Sequence, residues 1–234
     1  MIKAVLFDID GVLIETTEAN RKFVNDLLKK QGKTELNEKE YLKIRHMTIK
    51  QVIQEFCPEI NEKKTEETRK YWSGKYKNYL GLTKINSGAK EILDYLKGKV
   101  KIGIVTNRTK TKILDYHKIN DFFEVIITAL DVKEPKPSPE GIKKALNKLK
   151  VKPIEAIFVG DAETDVQAGN SAGVKMISYQ IELNGNAERI ESFEELKKFI
   201  EWKKKIEAKK LLEKKNEFQK KFCSDFNWLF GWIH

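Results

Sequence analysis

Met1-Ile-Lys-Ala-Val-Leu-Phe-Asp8-Ile-Asp10-Gly11-Val12-Leu13 is the stretch that decides the fold, because its apolar run meets two carboxylates. A buried strand over Ala4, Val5, Leu6 and Phe7 carries Asp8 and Asp10 to its carboxyl end, where open parallel sheets place their ligand crevices. Side chains at i and i+2 share a strand face, so both carboxylates point at one spot. One could attack an electrophile while its neighbour handles a proton, with a divalent cation offsetting their repulsion. Gly11 allows the sharp turn that follows. Taken alone, the same residues also fit a strand ending in an Asx turn.

Three later segments weigh against the turn. Val100-Lys-Ile-Gly-Ile-Val105 reads as a second buried strand and ends at Thr106-Asn107-Arg108, a hydroxyl and an amide where a bound oxyanion needs donors. Val125-Ile-Ile-Thr128 reads as a third strand and precedes Lys133-Glu-Pro-Lys136-Pro-Ser138-Pro-Glu140. Each proline fixes its own φ and restricts the residue before it, so Lys136 enters a helix in a stiff segment, with Ser138 as the expected N-cap. The fourth run, Ala156-Ile-Phe-Val159, ends in Gly160-Asp161-Ala-Glu-Thr-Asp165, followed by a helix through Ala172. Each strand ends in chemistry.

With these four motifs in this order, the chain resembles the haloacid dehalogenase superfamily, in its phosphoglycolate phosphatase and β-phosphoglucomutase-like branch, over about residues 1–200. The resemblance implies an α/β fold, a Rossmann-like, mostly parallel sheet of at least five strands, with a helical cap. It also implies a phosphatase that acts on a small phosphorylated metabolite through an aspartyl phosphate. Asp8 is then the nucleophile, and Asp10 the acid that protonates the leaving oxygen and afterwards activates water. Dehalogenases of the superfamily lack an acid at that second position, which favours phosphoryl chemistry. Mg²⁺ is implied on a carboxylate oxygen of Asp8, the backbone carbonyl of Asp10 and a carboxylate of Asp161. Thr106 and Asn107 donate to the phosphoryl oxygens, and Lys136 neutralises charge on nucleophile and phosphate. Asp165 either orients Lys136 or a metal-bound water, or is structural. A phosphomutase acting on a sugar phosphate would share every core residue, and a non-catalytic assembly module would show broken motifs.

Organisation follows from periodicity. Residues 1–14 and 86–200 form the expected core and residues 15–85 a helical cap, with hinges near 14–17 and 81–87, and Ala89 to Leu96 an amphipathic helix of the core. Thr16 or Thr17 is expected to cap the first cap helix, and Glu15 fits either an acidic site position or the helix dipole. Arg45 and His46 fall in a break between helical stretches, where a substrate-binding loop and a solvated surface both fit; Arg45 is the candidate substrate contact. Residues 188–200 read as the closing helix, and 201–234 as a lysine- and aromatic-rich extension. In it Phe218, Phe222, Phe226 and Phe230 fall four apart, a stripe that would pack on the core, self-associate into a homo-oligomer, or lie on a membrane surface.

Composition narrows the partners. The formal charge is +10, yet only five of the 45 basic residues are arginine, so the lysines read as solvated surface rather than a nucleic-acid interface. Positive potential would still gather phosphorylated anions. No apolar run approaches the roughly 18 residues of a membrane span, and no signal-like segment is evident, so a cytoplasmic enzyme is expected. Cys57 and Cys223 lack metal or disulfide spacing and read as small hydrophobes.

Overall fold

The computed structural model describes residues 1–183 and 187–230, with side chains described up to residue 218. Strand β1 (Ala4–Phe7) lies at the middle of a six-stranded sheet, flanked by β4 (Lys101–Val105) and β6 (Ala156–Gly160). Outside these lie β5 (Val125–Ile127) on one side, and β7 (Lys175–Tyr179) and β8 (Ala187–Ile190) on the other, in the order β5-β4-β1-β6-β7-β8. Every pairing in this sheet is parallel. The order turns back at β1, so the carboxyl ends of β1, β4 and β6 open a crevice at the point where doubly wound sheets bind ligands.

The period-two pattern of β1 explains its central place. Val5 and Phe7 face a layer that includes α5 (Ala89–Leu96), α6 (Lys112–Tyr116) and the start of α9 (Phe193–Phe230), whereas Ala4 and Leu6 face α7 (Glu140–Leu149) and α8 (Glu163–Ala172). A strand buried on both faces must be apolar throughout, and all four residues are fully buried. The helices answer with single apolar stripes: Ala89, Ile92, Leu93 and Leu96 on α5, and Ile142, Ala145, Leu146 and Leu149 on α7. Burying a side chain of that size stabilises the fold by about 1.5–3 kcal/mol.

Between β1 and α5 the chain leaves the core and returns. The two crossings, β2 (Ile14–Glu15) and β3 (Lys84–Ile85), pair antiparallel as a short ribbon. The loop they enclose contains α1 (Thr17–Lys30), α2 (Glu38–Ile44), α3 (Ile49–Phe56), α4 (Glu62–Lys75) and a 3₁₀ turn over Tyr76–Leu82. These pack around their own core of Phe23, Leu27, Leu28, Tyr41, Ile53 and Trp72, in which Cys57 is one more buried apolar group.

Three local expectations change. Residues 188–190 are strand rather than helix: Glu188 and Arg189 sit exposed on an edge strand, only Ile190 is buried, and the helix starts at Phe193. The residue capping α7 is Pro139, although the Ser138 hydroxyl does accept the Glu140 N–H at 3.3 Å. Thr16 sits at the N-cap of α1 but its hydroxyl makes no cap bond; Glu15 accepts the Thr17 N–H instead, at 2.6 Å. Helix α9 is buried through Phe199 and Ile200, then runs outward with residues 208–218 exposed. Phe222, Phe226, Phe230 and Cys223 lie outside the described side chains. No helix of the described residues is long and apolar enough to cross a membrane.

Candidate active site

The end of β1 delivers Asp8, whose N–H is held by the Val159 carbonyl at 2.9 Å. The chain turns away at Gly11 with φ +75°, and a Cβ there would collide with the Asp161 carboxylate, so the glycine permits both the turn and the approach of β1 to the end of β6. Asp8, Asp161 and Asp165 place carboxylate oxygens within 4.8 Å of one another, all buried. Asp165, at the first turn of α8, is already committed. Its Oδ2 accepts the N–H groups of Asp161 and Ala162 at 3.2 Å each, and its Oδ1 is 2.6 Å from Lys136 Nζ.

Lys136 is 5% exposed and bridges two carboxylates, with Nζ also 3.1 Å from Asp8 Oδ2. The segment that carries it is fixed by Asn107. The Asn107 Oδ1 accepts the Lys136 N–H at 3.0 Å, and its Nδ2 donates to the Lys136 carbonyl at 3.0 Å and to the His46 carbonyl at 3.2 Å. The amide is therefore engaged with the backbone in this state, and Asn107 ties the lysine segment to the loop after α2. Thr106 is buried at the end of β4, its N–H on the Ile127 carbonyl at 3.0 Å and its hydroxyl accepting the Arg108 N–H at 3.2 Å.

Asp10 stands in different surroundings. Its Oδ1 receives three donors: Thr16 Oγ1 at 2.6 Å, Asn20 Nδ2 at 3.0 Å and Arg108 Nη1 at 2.6 Å. Arg45 enters from the other side. Its loop is set between the end of α2 and the Thr48–Gln51 capping box of α3, and its Nη2 donates to the Asp161 carbonyl at 3.1 Å while lying 3.5 Å from Asp161 Oδ2. Arg45 Nε donates to His46 Nε2 at 2.9 Å. Asp8, Asp10, Asn20, Arg45, Arg108 and Lys136 line a cavity of about 160 Å³, one wall of which is apolar and includes Phe23, Val24, Ile44 and Val52.

The electrostatics separate the two acids. Burial raises Asp8 to about 7, against the lowering effect of Lys136 and with the negative charges of Asp165 and Asp10 adding to the rise. Burial likewise holds Asp161 well above the usual carboxylate range, helped by Asp165 and Asp8 and opposed by Arg45. Asp10 goes the other way: burial pushes it up, but the Arg108 charge and the hydrogen bonds from Thr16 and Asn20 outweigh burial and lower it. Burial would lower Lys136, yet the charges of Asp165 and Asp8 carry it above its ordinary value. His46 falls to about 4, through burial and then the adjacent Arg45, so it is neutral and free to accept from that arginine.

A buried carboxylate oxygen without a partner is costly, and Asp8 Oδ1 is one. Asp161, whose carboxylate has Arg45 as its one ion-pair partner among the described residues, is a second oxygen donor in the same cluster. Hard oxygen donors with no His or Cys in the cluster suit Mg²⁺. Asp165 shares the cluster, but its Oδ2 is held by two backbone N–H groups and its Oδ1, though without a hydrogen bond, is ion-paired with Lys136 at 2.6 Å, so Asp8 and Asp161 fit the ion better.

A family profile described as haloacid dehalogenase-like hydrolase matches residues 5–179. The chain belongs to that family. It is 31% identical over 191 residues to the pyrophosphatase PpaX of Bacillus cereus, an alignment spanning 80% of this chain and 87% of the relative. Among solved structures, a subfamily IA hydrolase of the superfamily from Geobacter sulfurreducens superposes with a TM-score of 0.69 at 30% identity, over 85% of this chain and all of the other. β-Phosphoglucomutase from Clostridium difficile shares the fold with a TM-score of 0.76 at 24% identity, covering 87% and 97% of the two chains. The protein is thus a phosphatase of the haloacid dehalogenase-like family.

Within the family motifs, Asp8, Asp161, Lys136 and Asp165 are brought together, with Thr106 and Asn107 at the end of the neighbouring strand. Arg45 reaches the Asp161 end of the same cavity. The residues that local reasoning passes over are the partners of Asp10: Thr16, Asn20 and Arg108, together with Tyr76, whose hydroxyl donates to Asn20 Oδ1 at 2.5 Å. A signal existed for one of them. Arg108 follows the Thr106-Asn107 pair directly and is one of only five arginines.

Proposed function

We propose that this protein is a Mg²⁺-dependent phosphatase that hydrolyses a small phosphomonoester through an aspartyl phosphate on Asp8. The observation that carries the reading is the surroundings of Asp8: a buried carboxylate at the end of the central strand, with Lys136 3.1 Å from one oxygen and the other unpartnered. Asp8 attacks phosphorus as its carboxylate, the Asp8–phosphorus bond forms and the bond to the leaving oxygen breaks, and Asp10, which must take up a proton against the lowering effect of Arg108, Thr16 and Asn20 before this step, gives that oxygen its proton. Water then attacks the acyl phosphate, Asp10 takes the water's proton, and phosphate leaves with Asp8 restored. Lys136 stays fixed by Asp165 and offsets the charge that builds on the phosphoryl oxygens, which the Thr106 hydroxyl also serves. Mg²⁺ held by Asp8, the Asp10 carbonyl and Asp161 would polarise the phosphoryl group and offset the carboxylates. Residues 15–85 act as a cap that closes on the β2–β3 ribbon and screens the reaction from water.

Phosphate release from a panel of phosphomonoesters tests the reading, with pyrophosphate added because it is named for the Bacillus relatives. Turnover that needs Mg²⁺, and that Asp8→Asn lowers by several orders of magnitude while the fold is retained, supports it. Near-normal turnover in Asp8→Asn refutes the covalent route.

A further inference from the structure

Helix α9 continues past the body with side chains that the reaction does not use. Phe199 and Ile200 are its last buried residues, and residues 208–218 are exposed. Within that stretch Leu211 and Leu212 stand 58% and 59% in solvent. The charges around them are unevenly placed. Successive helix residues turn by about 100°, so Lys204, Lys205, Leu211, Leu212, Lys215 and Phe218 share one half of the helix surface. Of the acids between residues 202 and 218, Glu213 and Glu217 fall on the opposite half, and Glu207, at the edge, is paired with the amino group of Met1 at 2.7 Å. The face therefore combines lysines and exposed leucines with no carboxylate. Lys204, Lys205 and Lys215 form no ion pair among the described residues.

Charge decides what can cover such a face. A second copy of the chain would set lysines against lysines over residues 202–218 in either direction, with no carboxylate on the face to answer them. A nucleic acid would answer the lysines but give the leucines nothing to bury against, and no arginine follows Arg189 to read bases or fork onto phosphates. An anionic bilayer answers both. Its headgroups meet the lysine ammonium groups, whose stems lie along apolar surface, while the leucines enter the acyl boundary. The sequence carries the pattern onward: Phe222, Phe226 and Phe230 follow Phe218 at intervals of four, although their side chains lie outside the described residues.

We propose that the outer turns of α9 dock the protein on the surface of an anionic lipid bilayer, with Leu211 and Leu212 entering the interface and Lys204, Lys205 and Lys215 on the headgroups. The docking and the reaction are separable, because no described residue of α9 lines the cavity around Asp8 and Asp10.

Co-sedimentation of the full chain with vesicles of phosphatidylcholine, alone or with phosphatidylglycerol added, tests the docking. With each lysine at the surface contributing about fivefold, the three on the face favour the anionic vesicles by about a hundredfold, and high salt should remove most of that preference. Leu211→Ser with Leu212→Ser should weaken binding to the anionic vesicles by about tenfold or more. Lys204→Gln, Lys205→Gln and Lys215→Gln together should abolish most of the preference, whereas Lys209→Gln, Lys210→Gln and Lys214→Gln, the same charge taken from the opposite half, should lower it by less than about tenfold. Phosphatase turnover in solution should be the same in every variant. Equal binding of the wild-type chain to the two kinds of vesicle, or binding to neither, overturns the proposal without any variant, and so do equal losses from the two lysine sets. A dimer in lipid-free sedimentation that the leucine pair variant abolishes overturns it in favour of a second copy. Tighter binding to a polyuridylate oligomer than to the anionic vesicles overturns it in favour of a nucleic acid.

Discussion

Replacing Lys136 with methionine removes the cation at the bottom of the site while keeping most of the stem's volume, so the change is electrostatic rather than steric. Lys136 Nζ stands 3.1 Å from Asp8 and 2.6 Å from Asp165, and the residue is 5% exposed. Taking one partner from a buried ion pair costs about 3–5 kcal/mol. At roughly 2–4 °C per kcal/mol for a chain of this size, the melting midpoint at about pH 8 should fall by roughly 10 °C. The deficit should also depend on pH. Asp8 is raised by burial to about 7 even with Lys136 lowering it, and a carboxyl raised above its unfolded value favours the folded state at low pH and opposes it as pH rises through the folded pKa. Without the lysine Asp8 rises further, so at about pH 5.5 it takes up a proton, the unpaired charge is reduced, and the deficit shrinks by half or more. Chemical denaturation in chelator at the two pH values measures this, and turnover should fall by about 10²–10³ besides. An equal deficit at both pH values, or one under about 1 kcal/mol at pH 8, would refute the assignment of Lys136 as the compensating charge.

Chelation should abolish turnover, and added Mg²⁺ should raise the melting point more at about pH 8 than at about pH 6, because Asp8, at about 7, and Asp161, raised well above the usual range, must release protons to bind it. An identical shift at both pH values counts against these two ligands. Asn107→Ala leaves the Lys136 N–H and two carbonyls without their partner and should cost about 1–3 kcal/mol in denaturation; a stability unchanged from wild type would show that the lysine segment holds itself. Truncation after Ala208 removes the exposed turns of α9 over residues 209–218 together with everything that follows them, and should leave turnover unchanged and the melting point within a few degrees. A larger drop would mean that the extension packs on the body.

The strands that end in chemistry are legible because their burial and their chemistry are local. Ala4 to Phe7 can only be a strand covered on both faces, and such a strand in a parallel sheet brings its carboxyl end to the crevice. Lys136 between prolines, and Asp161 and Asp165 at a helix entry, follow the same logic. Strand β8 is not legible, because an edge strand with Glu188 and Arg189 in solvent has no apolar run to announce it. Ser138 and Thr16 resemble N-caps in the chain, yet Pro139 holds the cap position of α7 and the Thr16 hydroxyl turns to Asp10.

The sharpest gap between chain and structure falls on Asp10, and it has a physical cause. Asp8 and Asp10 are two residues apart, yet Asp8 is governed by the core, whereas Asp10 is held jointly by Arg108 of the core and by the helical insert. Thr16 and Asn20 reach Asp10 from α1, Tyr76 reaches Asn20 across 56 residues, and Arg108 reaches Asp10 across 98. No short window of sequence contains the last two contacts. The same division makes Asp10 sensitive to the insert's position: moving α1 and Tyr76 away takes from Asp10 two neutral donors and from Arg108 the ring it rests on, while the Lys136–Asp165 support of Asp8 stays intact. In this arrangement Asp8 is set by the sheet, and Asp10 by Arg108 together with whether the insert is seated over it.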